Sequence, residues 1–357
     1  MSALRERFDG TSVLVTGHTG FKGSWLCEWL LSAGARVHGY ALEPEHEEDL
    51  FVTARLGERL ASSTIADVRD LDALRAAARA SEASVVVHMA AQPLVRRSFK
   101  QPIETFETNI MGTANLLEAC AAQESVGCVL VVTSDKCYRT PAPAGGHSEG
   151  DPMGGYDPYS ASKGAAELVT DSYRQSYYRP AGRALASARA GNVIGGGDWS
   201  EDRLVPDLIR GARAGEPVNI RRPNARRPWQ HVLDALHGYL MLIDACMRDG
   251  ERWSRGVNFG PGVSQSATVR EVTEALMREL DAGEATYATE ETGPHETGTL
   301  TLDASLARDE LGWAPALDTA EALSWTARWY ADWERGGDAA ELMRAQIEEF
   351  EARVGGS

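Results

Sequence analysis

The chain has 357 residues, and 36 lysines and arginines against 52 aspartates and glutamates give it a formal net charge of −16. With 43% hydrophobic and 25% charged residues, the composition is that of a globular protein with a large core, and the length suggests about two domains. The acidic balance argues against nucleic acid or an anionic membrane as the main partner. Coding bias explains why most cationic residues are arginines. The few lysines are Lys22, Lys100, Lys136 and Lys163.

The five cysteines are scattered, with no CxxC pair and no ligand-like spacing to histidine. This pattern predicts free thiols in a reducing compartment and no metal site. The first residues, MSALRERFDG, lack the apolar segment of a secretion signal, and no apolar run approaches about 18 residues. We therefore expect a cytoplasmic protein without a membrane partner.

Short apolar strands alternate with helical segments through the first half of the chain. Strands that are apolar on both faces and separated by helices indicate a parallel sheet covered on both sides. The predicted fold class is therefore α/β, a Rossmann-type doubly wound parallel sheet. The predicted strands are Ser12–Thr16, Ala35–Ala41, Ser63–Asp67, Ser84–Ala90, Cys128–Thr133 and Ala184–Ala190, and the predicted helices include Phe21–Ala33, Pro102–Ala122 and Asp157–Tyr178.

The texture of the sequence changes after Gly191, where loop-rich and basic stretches replace the regular alternation. We place a dinucleotide-binding domain at residues 1–190, with a return to it near 231–260 through one helix and one strand. A smaller C-terminal α/β substrate domain is expected at 191–335. The charged helical pattern in residues 336–357 predicts a peripheral C-terminal helix.

A glycine-rich motif follows the first strand and opens the next helix. Glycines there allow a tight turn and let backbone N–H groups approach a pyrophosphate at the helix N-terminus. The position between strand and helix favours dinucleotide binding over the alternative, a turn that merely requires positive φ. The motif residues are Gly17, His18, Thr19, Gly20, Phe21, Lys22 and Gly23.

The adenosine side of the predicted cofactor site is less well defined. No acidic residue ends the second strand, and Glu43 lies two residues beyond it, so this motif leaves NAD and NADP both open. Asp67 and Val68 after the third strand are candidate adenine contacts. The alternative role for Asp67 is a helix N-cap.

Tyr159 and Lys163 form a YxxxK motif within a predicted helix. Positions i and i+4 share one helix face, so the ammonium lies beside the phenol. Together with a positive nicotinamide ring it would depress the phenol pKa and make Tyr159 a base for a sugar or alcohol hydroxyl. The alternative is an exposed helix face.

Thr133, Ser134, Asp135 and Lys136 stand at the carboxyl end of a predicted parallel strand, where open α/β sheets bind ligands. An acid and an amine side by side could divide the acid and base roles of a reaction. The alternative is a solvated turn with a weak local ion pair.

The second domain carries a basic cluster between Arg221 and Arg227, in a chain that is acidic overall. The planar guanidinium suits a phosphate or diphosphate, so we expect an anion site, with a solvated basic loop as the alternative. His295 and Glu296 are weaker candidates. The candidates of this domain are Asn192, Arg203, Arg221, Arg222, Arg226, Arg227, Trp229 and His231.

These motifs together resemble the extended short-chain dehydrogenase/reductase family, in its NAD-dependent epimerase/dehydratase branch. The resemblance runs from about residue 13 to 330. Within TSDKCY, Lys136 matches the CDP-glucose type of dehydratase, whereas related dTDP-glucose enzymes carry an Asp-Glu pair there. The stretches that carry it are GHTGFKGSW, HMAAQPLVR, TNIMGT, TSDKCY, GGYDPYSASKGAAELV, RAGNVIGGGDW, RPWQHV and LDASLARDELGW.

The resemblance implies NAD as cofactor, CDP-glucose as substrate and a homo-oligomer, a dimer or a dimer of dimers. It implies a reaction that forms a 4-keto-6-deoxy sugar and water. Catalytic roles fall on Ser134, Asp135, Lys136, Tyr159 and Lys163. Further cofactor contacts are expected from Ala90, Ala91, Gln92, Asn109, Thr133 and Asn192, and substrate contacts from Gln92, Ser134, Asn192, Arg203, Arg227, Trp229, His231 and His295.

Several alternatives remain open at this point. Lys136 could act as the base at C5 or stabilise an oxyanion at O4. The substrate could carry another nucleotide, or the enzyme could be a nucleotide-sugar C4 epimerase, which needs Tyr159 and Lys163 but not the Asp135–Lys136 pair. A redox-sensing or scaffold protein that retains a Rossmann domain would need neither Tyr159 nor Lys163.

Overall fold

The computed structural model describes residues 2–262, 266–281, 283–289 and 300–355. The strands are β1 (Ser12–Thr16), β2 (Arg36–Ala41), β3 (Ser62–Ile65), β4 (Val85–His88), β5 (Cys128–Val132), β6 (Ala184–Ala190), β7 (Asn192–Ile194), β8 (Val218–Ile220), β9 (Arg226–Arg227), β10 (Trp229–His231), β11 (Gly256–Phe259), β12 (Ala267–Thr268) and β13 (Ala285–Tyr287). The α-helices are α1 (Ser2–Phe8), α2 (Phe21–Ser32), α3 (Leu50–Thr53), α4 (Leu71–Ser81), α5 (Val95–Lys100), α6 (Pro102–Phe106), α7 (Gly112–Ala121), α8 (Pro158–Tyr173), α9 (Leu204–Ala214), α10 (Val232–Arg248), α11 (Gly250–Trp253), α12 (Val269–Leu280), α13 (Thr319–Glu334) and α14 (Ala339–Gly355).

Seven parallel strands form the central sheet in the order β3-β2-β1-β4-β5-β6-β11. Alternate residues of β1 enter different hydrophobic clusters, Val13 and Val15 on one face and Leu14 on the other. This burial on both faces is what the continuous apolar runs predicted. The predicted α/β doubly wound fold is confirmed. The strand order reverses between β1 and β4, where such sheets bind ligands.

Some predicted strands extend beyond the observed ones at their carboxyl ends. β4 was expected to reach Ala90 but ends at His88, because the backbone N–H groups of Met89 and Ala90 donate to the Thr16 hydroxyl at 3.2 Å each. The chain leaves the sheet at this point and turns toward the opening between β1 and β4.

The later part of the chain adds short strand pairs and returns to the sheet. β7 pairs with β10, β9 with β12, and β8 with β13. α10 packs on β5 and β6, and β11 extends the sheet beyond β6. Both elements lie in the return segments expected near 231–260.

The C-terminal helix α14 packs against α2. It buries Met343, Ile347 and Phe350 in the main hydrophobic cluster, and its Glu351 accepts a hydrogen bond from Trp29 Nε1 at 2.8 Å. Residues 339–355 therefore contribute to this main hydrophobic cluster. In the described part of the chain, no helix combines the length and the apolar character needed to span a bilayer.

Candidate active site

A cavity of about 590 Å³ opens at the carboxyl ends of β1, β4 and β5 and extends to the segment that carries β7 to β10. The position is the one that a doubly wound sheet leaves open where its strand order reverses. Its volume falls within the ordinary range for a small-molecule or cofactor site.

The glycine-rich loop between β1 and α2 forms one wall of this cavity. Gly17 adopts φ +75°, and a Cβ there would lie 2.7 Å from the backbone nitrogen of Ala90. A Cβ on Gly23 would collide with the carbonyl of Gly17. Gly20 caps α2, whose first turn contains no acidic side chain. The loop therefore presents free N–H groups at a helix N-terminus and fits a pyrophosphate group.

His18 lies behind this loop and is not among the cavity-lining residues, unlike Thr19. Its ring occupies the space beside Gly39, where a Cβ would overlap it, and its Nε2 lies 2.8 Å from Ser63 Oγ. Burial lowers the pKa of His18 to about 4. This neutral ring joins the loop to β2 and β3, so its role is to hold the loop in place.

Asp67 and Val68 line the cavity at the end of the sheet that was expected to receive adenosine. The N-cap of α4 is Asp70, which accepts a hydrogen bond from Ala73 N. The capping alternative for Asp67 is therefore wrong. Arg69 hydrogen-bonds to Asp67 and lowers its pKa.

The loop after β4 contributes Ala90 and Ala91 to the cavity, whereas Gln92 and Asn109 are not among its lining residues. Asn109 Oδ1 accepts from the backbone of Gln92 at 2.8 Å, and Asn109 Nδ2 donates to Ser162 Oγ at 2.8 Å. These two residues tie the loop to α8. Gln92 and Asn109 thus lie behind the cavity wall and do not line the cavity.

Tyr159 and Lys163 lie one turn apart on α8, each 7% exposed, and both line the cavity. Asp157 caps the helix through Ser160 N. Burial lowers the pKa of Lys163 to about 8. Burial raises the pKa of Tyr159 to about 12, a hydrogen bond with Ser134 opposes this, and the charge of Asp135 adds to it. The depressed phenol pKa expected from the sequence is absent in the chain by itself, because burial outweighs the other effects.

The turn after β5 places Ser134, Asp135 and Lys136 in the same cavity. Asp135 is only 1% exposed, so the alternative of a solvated turn is wrong. Its Oδ1 accepts from Ser134 Oγ at 2.9 Å and from Lys136 Nζ at 3.4 Å. Its Oδ2 is buried without a hydrogen-bond partner among the described residues. This oxygen is available to a ligand.

A buried ion pair supports the turn after β5. The sequence motifs did not predict this pair. Glu167, one turn after Lys163, accepts from Thr133 Oγ1 at 2.5 Å and from Arg189 Nη2 at 2.8 Å. Thr133 itself lines the cavity. The i+4 spacing from Lys163 to Glu167 could have indicated that Glu167 lies on the same face of α8. Arg189 lies on another strand, so its pairing could not be read from local spacing.

The other side of the cavity is built by residues 192–229, which belong to the predicted substrate domain. Arg203 Nη1 donates to Asp198 Oδ2 at 3.3 Å, and Trp229 Nε1 donates to the carbonyl of Ala267 at 3.1 Å. Asn192 Oδ1 is buried without a partner in the described part of the structure. The predicted residues that line this side are Asn192, Arg203, Arg221, Arg222, Arg227 and Trp229.

The basic cluster divides between this wall and the surface. Arg226, which is exposed, donates to the carbonyl of Ser266 and does not line the cavity. Arg221 donates to Asp202 Oδ1 at 3.1 Å, and Arg96 from the cofactor side donates to the same oxygen at 3.0 Å. Asp202, which the sequence reading did not single out, thus links the two sides of the cavity.

The predicted substrate contact His231 lies away from the cavity wall. It caps α10 by accepting from Leu233 N, and its ring stands edge-on to Trp25 and Trp325. His231 therefore has a packing position in the described structure. The candidates His295 and Glu296 lie outside the described residues.

Comparison with known proteins agrees with this architecture. The model of the GDP-mannose 4,6 dehydratase family matches residues 14–326. CDP-glucose 4,6-dehydratase of Salmonella typhimurium is 44% identical over 96% of this chain and 97% of its own length. A dTDP-glucose 4,6-dehydratase of Streptomyces antibioticus is 31% identical over 90% of this chain and 92% of its own. DesIV, a dTDP-glucose 4,6-dehydratase from Streptomyces venezuelae solved with NAD bound, superimposes with a TM-score of 0.76 at 26% identity, covering 92% and 99% of the two chains.

The fold is that of the short-chain dehydrogenase/reductase type, as in the dehydratase structure solved with NAD. The chain belongs to the GDP-mannose 4,6 dehydratase family. The similarity to CDP-glucose 4,6-dehydratase that the motifs predicted is confirmed.

Proposed function

We propose that the chain converts CDP-glucose to CDP-4-keto-6-deoxyglucose and water, with NAD as cofactor. The observation that carries the proposal is the arrangement of two acid–base pairs in one cavity, Tyr159 with Lys163 and Asp135 with Lys136. A C4 epimerase needs the first pair alone. The second pair can carry out a further proton exchange, and the elimination of water requires such an exchange.

The first step falls to Tyr159 and Lys163. When bound, NAD supplies a hydride acceptor for C4 of the sugar and a donor for C6. Tyr159 takes the O4 proton, and the ammonium of Lys163 stabilises the phenolate that this requires. Ser134, whose hydroxyl lies between Asp135 and the phenol, orients O4.

The second step falls to the turn after β5. A ketone at C4 acidifies the hydrogen at C5, and Lys136, as the neutral amine, removes it as a proton. Asp135, protonated at Oδ2, which is buried and without a partner among the described residues, gives its proton to the departing 6-hydroxyl, which leaves as water. Lys136 then returns its proton to C5 as C6 receives the hydride. In the competing assignment, Lys136 stabilises the oxyanion at O4 and another group takes the C5 proton.

The second region would hold the nucleotide diphosphate. Arg203 and Arg227 reach the cavity from this side, and a guanidinium pairs with phosphate through two N–H groups. On the cofactor side, Glu43 and Glu45 line the cavity just after β2. Glu45 pairs with Arg97, and the carboxylate of Glu43 disfavours the additional phosphate of NADP and supports NAD.

The domain assignment remains a proposal as well. We place the cofactor domain at residues 1–190 with the return near 231–260, and the substrate domain at 191–335. The cavity walls contributed by the glycine-rich loop and by residues 192–229 support this division.

We also propose a homodimer through the helices at 102–122 and 157–178. α6 and α8 pack side by side and leave Ile103 67% and Leu168 64% exposed, and Met111, between α6 and α7, is 54% exposed. Exposed apolar side chains on adjacent helical segments favour a protein interface. Leu168→Asp should convert the dimer to a monomer in light scattering, and an unchanged mass would reject this interface.

A cytoplasmic location is proposed on the chemistry of the thiols. All five cysteines are free and buried. Thiols that remain unpaired in a folded protein are typical of a reducing compartment.

The test of the substrate is a direct comparison of CDP-, dTDP-, UDP- and GDP-glucose with the purified protein. We expect the highest kcat/KM for CDP-glucose, and mass spectrometry should show a product lighter by one water. A higher kcat/KM for dTDP-glucose would overturn the CDP assignment, and a product of unchanged mass would support the epimerase.

A further inference from the structure

Three of the four lysines line the cavity, and one of them has no role in the steps above. Lys22 belongs to the glycine-rich motif and lies in the first turn of α2. A pyrophosphate site of this type needs only the backbone N–H groups of that turn. The Lys22 side chain extends to Tyr239 of α10, with Nζ 3.3 Å from the phenol oxygen and 5.5 Å from the ring centre.

Lys22 lines the same cavity as Asp135, Tyr159 and Lys163. Burial, together with the charges of Lys163 and Arg203, lowers the pKa of Lys22 to about 7, and the charge of Asp135 opposes them. Tyr239 is fully buried, and burial together with Tyr159 and Asp135 raises its pKa. Tyr239 is therefore a neutral phenol that accepts a hydrogen bond from the ammonium.

We propose that Lys22, held by Tyr239, sets the redox balance of the bound cofactor. The inference rests on the proposed function. A nicotinamide ring that exchanges a hydride beside Tyr159 and Asp135 comes within electrostatic range of Lys22, because Lys22 lines the same cavity as these two residues and its Nζ is held by the Tyr239 phenol. The oxidised ring carries a positive charge, and the reduced ring is neutral. A nearby ammonium therefore weakens binding of NAD+ relative to NADH.

This balance matters at the first step of the reaction. C4 of the sugar loses a hydride to the ring, and O4 loses its proton to Tyr159, so the ring charge disappears as the ketone forms. The Lys22 ammonium favours that state. It thereby keeps the ketone and the reduced cofactor together while water is lost.

The test compares dissociation constants for NAD+ and NADH at pH 6, where Lys22 is charged, by NADH fluorescence titration and NAD+ competition. Lys22→Met removes the charge and keeps much of the length of the side chain. We expect the preference for NADH over NAD+ to fall about tenfold, the effect of one short-range charge in a screened protein interior. Lys100→Met, the same change at an exposed lysine away from the cavity, should leave the preference unchanged.

A second variant covers the case in which Lys22→Met does not fold. Tyr239→Phe keeps the ring but removes the acceptor for the ammonium, and at pH 7 the NADH preference should fall by about threefold because the charged form of Lys22 loses support. An unchanged ratio in Lys22→Met, or equal weakening of both nucleotides, would overturn the inference and leave the proposed function intact. If the unmodified protein bound neither nucleotide, the proposed function itself would fail.

Discussion

The two sides of the cavity are built in different ways. On the sheet side, Asp135, Tyr159 and Lys163 are buried and held by the end of β5 and one face of α8. On the other side, Arg203 and Arg221 are about one-third exposed, Arg203 directly before α9 and Arg221 directly after the short strand β8. The three buried groups of the sheet side are thus fixed in advance, whereas these two arginines have room to move.

The two sides also differ in how their charges are satisfied. Asp135 Oδ2 has no partner in the described structure and is available for chemistry. Arg203 and Arg221 already hold the carboxylates of Asp198 and Asp202. A diphosphate must therefore compete with internal carboxylates for the arginines. Changes on the sheet side should affect kcat, and changes on the other side should affect KM.

The largest effect is expected from Tyr159→Phe. Removal of the phenol oxygen deletes the base for O4, so kcat should fall by ~10³ to 10⁴. CDP-glucose binding, measured by calorimetry, should stay within a few-fold because the arginine side is untouched. Turnover within tenfold of the unmodified protein would reject Tyr159 as the base.

Lys136→Ala separates the two steps on the sheet side. The variant should still reduce its bound cofactor when CDP-glucose is added, because Tyr159 and Lys163 remain. Water loss should fall by ~10² or more, since the C5 base is missing. Cofactor reduction is followed by absorbance and product by mass spectrometry. Normal turnover would contradict the role of Lys136 as base.

Arg227→Ala tests the binding side. Loss of a charged contact to phosphate should raise KM by about 10- to 100-fold with little change in kcat. Arg226→Ala is the matched control, because this adjacent arginine is exposed and does not line the cavity. Equal effects of the two changes, or a loss confined to kcat, would break the division between the two sides.

The smallest effect on activity is expected at a buried carboxyl group of α10 that does not line the cavity. Asp234 on α10 is buried and accepts from Ala316 N at 2.6 Å, and burial raises its pKa to about 7. In the unfolded chain it ionises near pH ~4, so folding stability falls as the pH rises from ~4 to 7. Asp234→Asn removes this contribution to the pH dependence of folding stability.

The stability of Asp234→Asn relative to the unmodified protein should therefore be ~2 to 3 kcal/mol more favourable at pH 8 than at pH 5. Urea unfolding at both values measures the difference. Costs of the amide that do not depend on ionisation cancel in this comparison. If the free energies of unfolding of the variant and the unmodified protein differed equally at the two pH values, Asp234 would not have the raised pKa.

Local patterns predicted which segments line the cavity on both sides, but they missed the positions of side chains whose contacts lie in distant segments. The glycine turn, the YxxxK spacing and the residues after β5 are defined by neighbours in sequence, so Tyr159, Lys163 and Asp135 could be placed together in advance. The roles of Gln92, Asn109 and His231 depend on contacts with distant segments. No spacing rule reveals those contacts.

Long-range electrostatics account for the remaining differences. The ion pair of Glu167 with Arg189 joins a helix to a strand 22 positions later in the chain. Asp202 links arginines from both sides of the cavity. Burial, which the sequence does not quantify, raises the pKa of Tyr159 in the protein chain alone, so the depressed pKa expected beside a nicotinamide ring stays a prediction.

The central claim is that both acid–base pairs act in one continuous reaction within one cavity. CDP-glucose labelled with deuterium at C4 tests it, because a hydride taken from C4 and returned at C6 carries the label with it. We predict that NMR of the product shows deuterium at C6 of a 4-keto-6-deoxy sugar. Deuterium restored to C4 of an otherwise intact hexose would contradict the account and indicate an epimerase.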